Sequence, residues 1–410
     1  MLRPIQKRIS LEFEKFYLLS GKTRNLLLSY LFQGASNPII GIFMNAYIWR
    51  IEGNFIGVAL FNLGNFIGLP LTFFVNGYLL RFINIDYLYT TGSVTLGLGV
   101  MLVVLLAKYG FVNYLLFGLI YSLGYGLYWA NRNYLTLRQT ESHNRNYFLG
   151  LNFTLDTVTS IAIPFVIGWF IYFGGKFGLE TYIINAVIAF ILLLISGTLV
   201  INGKHKSPVV GNLIVNNFSK KWVGVRMLTL GIGIIEGSAF FLVSLLVLNN
   251  LGHEGVLGTA ESLSSIILGV LFYYYGRKAG VGHQKIIYLI SVLVGVLGSI
   301  FLLFGATSIL GVVVFTCLYY FSIAFMWLSA DPMIMDIMDG EIQTKHQNRY
   351  SLVFDRELLL NIGRVFSILI FVLSLNYFGE NQTLHVVPVI TYIFHLIILG
   401  LVWNKLKTEV

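Results

Sequence analysis

The sequence predicts an all-α membrane protein that crosses the bilayer many times, with twelve transmembrane helices in two six-helix bundles related by pseudo-symmetry. Three observations predict this fold: an apolar composition, a one-sided distribution of basic residues and an internal repeat. Of the 410 residues, 57% are hydrophobic and only 11% are charged, whereas soluble domains carry roughly a quarter charged residues. Such a chain cannot cover a globule in water, and lipid is its expected solvent.

Twelve apolar segments are each long enough to cross about 30 Å of hydrocarbon, which takes roughly 20 residues of helix. They span residues 26–49, 55–80, 85–107, 111–135, 147–173, 181–201, 223–248, 256–275, 286–304, 309–335, 350–377 and 386–406. The longest hydrophilic stretch between them is residues 202–222. The predicted division is therefore a cytoplasmic N-terminal segment at 1–25, a first bundle at 26–201, a cytoplasmic central loop at 202–222, a second bundle at 223–406 and a cytoplasmic tail at 407–410.

The basic residues lie almost entirely on one side of these segments. Of the 27 Lys and Arg residues, 22 fall in segments on the side of the termini, and only Arg50, Lys108 and Lys176 fall in loops on the other side. Cytoplasmic loops carry an excess of Lys and Arg. The pattern predicts a multi-pass protein of the plasma (cell inner) membrane with both termini in the cytoplasm. The net charge of +9 then reflects topology and not nucleic-acid binding.

The two halves of the chain repeat each other. A Gln-Gly-Ala-Ser run that starts at Gln33 in the first helix matches a Glu-Gly-Ser-Ala run that starts at Glu236 in the seventh, 203 residues later. With a four-residue shift in the preceding loop, Asn62 pairs with Glu261. Two six-helix halves of the same topology are the parallel repeat of one large class of transporters.

The six-plus-six arrangement, the basic central loop and the repeat resemble the major facilitator superfamily over essentially the whole chain. The signature of that family joins the second and third helices as a Gly followed by an Asp and basic residues. Here the loop has Gly77 and Arg81 without an acidic residue between them, and its counterpart in the second half reads Gly276-Arg277-Lys278.

The fifth helix resembles the exporter motif of the same family in part, because Gly150, Pro164 and Gly168 fall at matching spacings. The resemblance implies a secondary active transporter, and not an enzyme, that moves a small organic solute by alternating access. Coupling to protons or another ion is implied, with export slightly favoured over import. We expect a monomer whose partners are a small-molecule substrate, a coupling ion and the lipid bilayer, without cofactor, metal or nucleic acid.

Carboxyl groups deep in the predicted spans are the candidates for proton coupling. An ionisable group in hydrocarbon costs at least about 2.5 to 3.5 kcal/mol on insertion scales, so each one implies a partner, a wet cavity or a function. Glu236 lies near the middle of the seventh helix, Asp156 one turn beyond Asn152 in the fifth, and Glu261 in the outer part of the eighth. Each of them can instead be a structural carboxyl that is hydrogen-bonded to a neighbouring helix.

The eleventh helix carries a charged stripe. Glu357, Asn361 and Arg364 share one face because spacings of four and seven residues return to nearly the same angle. This stripe is expected to face the interior. Arg364 can bind an anionic substrate bidentately, or can neutralise Asp156 or Glu236 in a charge pair, and the sequence leaves both roles open.

The remaining candidates are polar or aromatic. Glu357, Arg132 and Asp331 are candidates for charge pairs or gate contacts, and for the acidic cluster around Asp331 a gate contact is favoured over a metal site. Tyr121 and Tyr125 in the fourth helix suit a sugar-like or mixed aromatic substrate. Several spans hold more amides than lipid-facing helices tolerate. Besides Arg364 and the two tyrosines, the substrate-binding candidates are Gln33, Asn37, Asn62, Asn65, Asn152 and Asn361.

Two other functions fit a helical membrane protein of this composition. One is a membrane-embedded enzyme or lipid-handling protein that uses Arg364, Arg132 and the carboxylates on a lipid headgroup. The other is a non-transporting sensor derived from a transporter. The first would form a product in sealed liposomes without a gradient, and measured solute flux would exclude the second.

Overall fold

The computed structural model describes residues 16–17, 19–108, 113–139, 145–208, 210–278, 284–305 and 309–403. Every regular element in these residues is a helix. We label them α1 (Gly21–Glu52), α2 (Phe55–Leu79), α3 (Ile85–Lys108), α4 (Tyr114–Gln139), α5 (Arg145–Lys176), α6 (Thr181–Ile201), α7 (Lys220–Leu251), α8 (Glu254–Lys278), α9 (Gln284–Phe304), α10 (Ile309–Lys345) and α11 (Arg349–Val402). Most of the predicted N-terminal segment and the whole of the predicted tail lie outside the described residues.

Local sequence fixes where several helices begin and end. Asn54, Ser219 and Asn348 each accept a hydrogen bond from a backbone N–H in the first turn of α2, α7 and α11, which satisfies donors that have no partner inside the helix. Gly53 and Gly252 end α1 and α7 with φ angles of 70° and 96°. Only glycine adopts this left-handed backbone without steric cost.

The helix α11 is interrupted at Gly379, whose φ of 76° and ψ of 173° are not helical. At 1.5 Å per residue its 54 residues would extend over roughly 80 Å, more than twice the hydrocarbon thickness, so the helix has the length for two crossings. Ten helices in the described residues are long and apolar enough to cross a membrane. The chain is therefore a multi-pass membrane protein, and the count of twelve spans stays a prediction.

The bundle has two ends that loop contacts identify. The central-loop end holds residues 202–208 and 210–219, where Arg81 Nη2 donates to the carbonyl of Gly211 at 2.8 Å. The far end holds the opposite helix termini, where Lys108 Nζ lies 2.9 Å from Glu180 Oε1 and ties the end of α3 to the start of α6.

Two helix pairs form most of the contact between the first half (α1–α6) and the second half (α7–α11). The first pair is α5 with α8, and the second is α11 with α2. In the repeat, each helix of the first half corresponds to the helix numbered six higher in the second half. Thus α5 corresponds to α11 and α2 to α8, and the two pairs are equivalent. The predicted domain boundaries at residues 201 and 223 stay predictions.

The pair α5 and α8 meets backbone to backbone. A Cβ atom on Gly168 would lie 2.4 Å from the carbonyl oxygen of Glu254, and one on Gly258 would lie 2.1 Å from that of Pro164. Membrane helices approach this closely only through small residues, because lipid supplies no hydrophobic force to press larger ones together.

Glycine also sets the spacing within the first half, where α2 crosses α4. A Cβ atom on Gly118 would lie 1.9 Å from the carbonyl oxygen of Phe61 and 2.7 Å from the amide nitrogen of Asn65. Both neighbours are backbone atoms of α2, so they can give way only if the helices separate.

We predict that Gly118→Ala destabilises the protein by about 1 to 3 kcal/mol, as overpacked cores do. The matched control is Gly400→Ala, also within a helix, where an added Cβ would meet nothing within 4 Å. Thermal unfolding in detergent measures both. Equal melting temperatures for the two variants would contradict the proposed close approach of α2 and α4.

Candidate functional site

A cavity of about 400 Å³ lies between the two halves. Its walls come from α1, α4 and α5 on one side and from α7, α8 and α10 on the other. Six of the residues predicted from the sequence line it together: Asn37, Tyr121, Tyr125, Arg132, Asp156 and Glu261.

The first half contributes a charged pair to the cavity wall. Arg132 Nη2 lies 3.6 Å from Asp156 Oδ2, which is an ion pair but is longer than a hydrogen bond. The same carboxylate oxygen accepts a hydrogen bond of 2.9 Å from Asn152 Nδ2. The guanidinium is held between the rings of Tyr30 and Trp129, 4.6 Å from each centroid, a cation–π arrangement that fixes its plane.

The guanidinium of Arg132 is incompletely bonded. It has five N–H donors, and none of them donates a hydrogen bond to an acceptor in the described part of the chain. One of these donors, the Nε–H, is buried. A buried donor without an acceptor is costly. The cavity therefore offers Arg132 to an acceptor from outside the protein, either water or a ligand.

The second half contributes a carboxylate. Glu261 is 8% exposed and accepts a short hydrogen bond from the hydroxyl of Tyr320. Among the described residues, no Lys, Arg or His forms an ion pair with it. A buried carboxylate without a cation is the arrangement expected of a group that binds a proton or a positively charged ligand.

Aromatic rings cover much of the remaining wall. Tyr121 and Tyr125 stack with their centroids 5.5 Å apart, and Trp129 meets Tyr125 edge-on at 5.9 Å. Tyr319 and Tyr320 lie on the opposite side, on α10. The cavity therefore combines flat aromatic surfaces with charged groups on both halves.

The carboxylate of Glu236 does not line this cavity and is bound to Arg364. The distance from Arg364 Nη2 to Glu236 Oε2 is 2.7 Å, and the side chains are 16% and 13% exposed. The indole N–H of Trp327 donates to the other carboxylate oxygen, and Arg364 Nη1 donates to Asn361 Oδ1 at 3.3 Å. Of the two partners that the sequence left open for Arg364, the structure brings it to Glu236 and not to Asp156.

A second charged group lies nearer the central-loop end of α10 and α11. Arg356 Nη1 lies 3.2 Å from Asp331 Oδ1, and Arg356 Nη2 lies 3.4 Å from Glu357 Oε1. The Arg356 guanidinium also lies over the ring of Trp327, 5.5 Å from its centroid. Trp327 therefore contacts both this group and the Glu236 pair.

The other predicted amides join helices or bond locally outside the cavity wall. Asn62 Nδ2 donates to Asn45 Oδ1 at 2.8 Å and ties α2 to α1. Gln33 Nε2 reaches Asn37 Oδ1 at 3.5 Å, and Asn65 is buried in α2. Of the predicted amides outside the cavity wall, Asn62 is the one whose hydrogen bond in the described residues joins two helices.

An ion pair joins the halves at the far end. Arg50 Nε lies 2.8 Å from Glu254 Oε1, and Arg50 Nη2 donates to the carbonyl of Gly252 at 2.9 Å. The hydroxyl of Tyr182 donates to the same Glu254 oxygen at 2.9 Å. This contact was not predicted, because Arg50 was expected to be a charge in a loop. One available signal was that Arg50 is among only three basic residues on that side.

A tyrosine joins the halves at the central-loop end. The hydroxyl of Tyr350 on α11 donates to the carbonyl of Phe73 at 2.8 Å and accepts from Asn76 Nδ2 at 3.1 Å. Asn76 is also bonded to Asn131 in both directions. These contacts lie beside Gly77, in the loop motif that lacks its acidic residue. The repeat pairs Tyr350 with Tyr147 at the start of the fifth helix, but it does not indicate that Tyr350 docks there.

The chain shares its fold with solute transporters of known structure. The nucleoside transporter NupG has a TM-score of 0.69 at 12% identity, with 95% of this chain and 100% of that chain covered. A bacterial homologue of the iron transporter ferroportin in the inward-facing state gives 0.67 at 14% identity, with 94% and 99% covered. A POT family transporter in complex with 5-aminolevulinic acid gives 0.69 at 11% identity, with 94% and 96% covered. These neighbours are transporters and not enzymes.

Sequence relatives extend the comparison without naming an activity. The uncharacterized protein YqgE of Bacillus subtilis (strain 168) is 25% identical over 345 residues, which are 83% of this chain and 79% of that protein. An uncharacterized protein in the sodM 3' region of Geobacillus stearothermophilus is 32% identical over 129 residues, which are 32% of this chain and 60% of that one. No family model matches the chain.

We predict that Glu236→Gln lowers the free energy of unfolding by about 3 to 5 kcal/mol, because Arg364 is then buried without its countercharge. The double variant Glu236→Gln/Arg364→Gln should recover part of this loss. Thermal unfolding of the purified variants measures both effects.

The matched control is Asp339→Asn, which removes an ion pair with Arg349 whose side chains are 54% and 48% exposed. Exposed pairs contribute about 0 to 1 kcal/mol. If Glu236→Gln were no more destabilising than this control, the buried pair would not be a stabilising contact.

Proposed function

We propose that the chain is a secondary active transporter that moves a small organic solute across the plasma membrane by alternating access, coupled to protons, with export slightly favoured over import. The observation that carries this proposal is the cavity between two pseudo-symmetric halves, with Asp156 and Arg132 on one half and Glu261 on the other. A site at the interface of two halves can face either side of the membrane as the halves tilt.

Contacts at both ends of the bundle support the alternating-access part of the proposal. Arg50 and Glu254 join the halves at the far end, and Tyr350 and Asn76 join them at the central-loop end. In the proposed cycle each contact breaks in turn. The Lys and Arg distribution assigns the central-loop end to the cytoplasm.

Proton coupling is assigned to Glu261 and Asp156, which line the cavity. Glu236 has a countercharge in Arg364 and is outside the lining, so it can couple only if that pair opens. Glu261 has no cation among the described residues, and a proton and a cationic solute group would compete for its carboxylate. Such competition gives antiport, which moves a solute out of the cell when protons flow in. This is the physical reason for favouring export.

We predict that Glu261→Gln abolishes proton-driven accumulation in proteoliposomes, because an amide cannot exchange a proton. Solutes are screened by the proton movement that they elicit from a pH-sensitive dye inside the vesicles, and the responding solute is then followed as a tracer. The matched control is Glu180→Gln, which changes an exposed carboxylate paired with Lys108.

Unchanged proton-driven transport in Glu261→Gln would remove Glu261 from the coupling role. Product formed from lipid in sealed, gradient-free liposomes would instead support the headgroup-acting alternative.

We predict further that Arg50→Gln opens the cavity to the far end, because it removes the ion pair that joins α1 to the start of α8. Access is measured by modification of Ser244→Cys, a cavity position, with a membrane-impermeant thiol reagent from the outside. The background is Cys317→Ser, which removes the only cysteine of the chain. The expected result is a modification rate several-fold above that of the parent.

The control for this experiment is Lys108→Gln, which breaks the ion pair with Glu180 at the same end but within the first half. It should leave the rate unchanged. Equal rates in Arg50→Gln and in the parent would show that the Arg50–Glu254 contact does not close the far end.

A further inference from the structure

We propose that the cavity binds a small aromatic zwitterion, with its anionic group at Arg132, its ring between the tyrosines and its cationic group at Glu261. This assignment rests on the proposed function, because it names the class of solute that the transporter carries. It goes further because it assigns the anionic group of the solute to the first half of the protein and the cationic group to the second half.

The anionic end is assigned from the incomplete bonding of Arg132. Its guanidinium lines the cavity, its orientation is fixed by Tyr30 and Trp129, and its Nε is buried without an acceptor. Asp156 is within ion-pair distance, at 3.6 Å, but accepts no hydrogen bond from it. A planar carboxylate from the solute can accept two parallel N–H bonds from a guanidinium, which Asp156 does not do.

The cationic end is assigned from Glu261. Its carboxylate is buried, lines the same cavity and has one hydrogen bond, from Tyr320, and no basic partner in the described residues. An ammonium group supplies both the charge and the donors that this carboxylate lacks. The two charged positions are on different halves, so the solute would bridge the interface that alternating access must rearrange.

The ring is assigned from the walls and the volume. Tyr121, Tyr125, Tyr319 and Tyr320 line the same cavity as the two charged groups, and flat rings stack favourably on such surfaces. The volume of about 400 Å³ lies within the range of small-molecule sites, roughly 300 to 1,000 Å³.

The register of α5 and α8 gives the distance between the sites for the anionic and cationic groups of the solute. Gly258 lies against Pro164, and Gly269 lies against Thr157, so the two helices run antiparallel. Glu261 is consequently displaced from the level of Asp156 and Arg132 by roughly 10 Å along the bundle, at 1.5 Å per residue. The charges of the solute must therefore be at opposite ends of a ring, as in a para-substituted benzene. An α-amino acid carries both charged groups on the same carbon atom and does not fit.

The test is isothermal titration of the purified chain in detergent at neutral pH, with four para-substituted benzenes of similar size as probes. The zwitterion is 4-(aminomethyl)benzoate. The comparison probes are 4-methylbenzylamine, with only the cation, 4-methylbenzoate, with only the anion, and 4-methylbenzyl alcohol, with neither. We expect the zwitterion to bind at least about ten-fold more tightly than each of the others, a difference in Kd that one retained charge contact readily supplies. Equal affinities, or tighter binding of a singly charged probe, would overturn the inference.

Two variants assign the ends. Arg132→Gln should abolish the preference for the zwitterion over 4-methylbenzylamine, which lacks the anionic group. Glu261→Gln should abolish the preference for the zwitterion over 4-methylbenzoate, which lacks the cationic group. Arg349→Gln and Glu180→Gln make the same chemical changes at exposed ion pairs and should preserve both preferences. Preferences that survive Arg132→Gln and Glu261→Gln would place the probe elsewhere. The comparison of probes on the unmodified protein does not depend on how these variants fold.

Tracer flux in proteoliposomes separates this inference from the proposed function. Selective binding of the zwitterion without flux would support the binding assignment and contradict transport. Flux of a different solute that none of the four probes inhibits would overturn the binding assignment and leave transport standing.

Discussion

The absence of water inside the bilayer is the constraint on which this structure depends. A charge in hydrocarbon must find its partner within the protein or in a cavity. Glu236 and Arg364 satisfy that demand through each other, at 2.7 Å and largely buried. Arg132 and Glu261 satisfy it only in part, and both face the cavity. The completeness of the bonding therefore separates the charges that stabilise the fold from those that are available to a ligand.

The fold could be predicted from the sequence because lipid makes strong demands on composition. Hydrophobic length alone gave residues 181–201 for one span, and α6 is Thr181–Ile201. The prediction was too short for α10, which was expected to end at residue 335 and continues to Lys345. The added turns carry Asp339, Glu341 and Lys345, which a hydrophobicity criterion excludes, although a helix can continue into water beyond the hydrocarbon.

The candidate site could be predicted only in part, because a sequence gives the depth of a residue but not the rotation of its helix. Depth identified Asp156 and Glu261, and both line the cavity. Choosing between Asp156 and Glu236 as the partner of Arg364 required the α7–α11 contact. There a Cβ on Gly363 would lie 2.2 Å from the carbonyl oxygen of Leu230. Backbones this close bring the two charged side chains within bonding distance, and no pattern in either helix reports it.

The repeat also relates two tyrosines of the cavity wall. The 199-residue offset that pairs Asn62 with Glu261 also pairs Tyr121 with Tyr320. Both tyrosines line the cavity, and Tyr320 donates a hydrogen bond to Glu261. Arg50 has no such signal, and the pairing of Tyr350 with Tyr147 does not report its contact with α2. Contacts between the halves depend on the conformation of the transporter and not on the symmetry of its chain.

The glycine contact between α5 and α8 has a mechanical consequence. Where Gly168 and Gly258 meet, the two backbones are in direct contact, so a tilt of one half against the other would be centred on this point. A rigid body that tilts about a point near one end moves most at the other end. The contact would therefore act as a fulcrum, and a displacement too small to disturb its packing would become a large opening at the mouth of the cavity. Bulkier residues at these two positions would stiffen the joint, even in a protein that still folds and still binds its ligand.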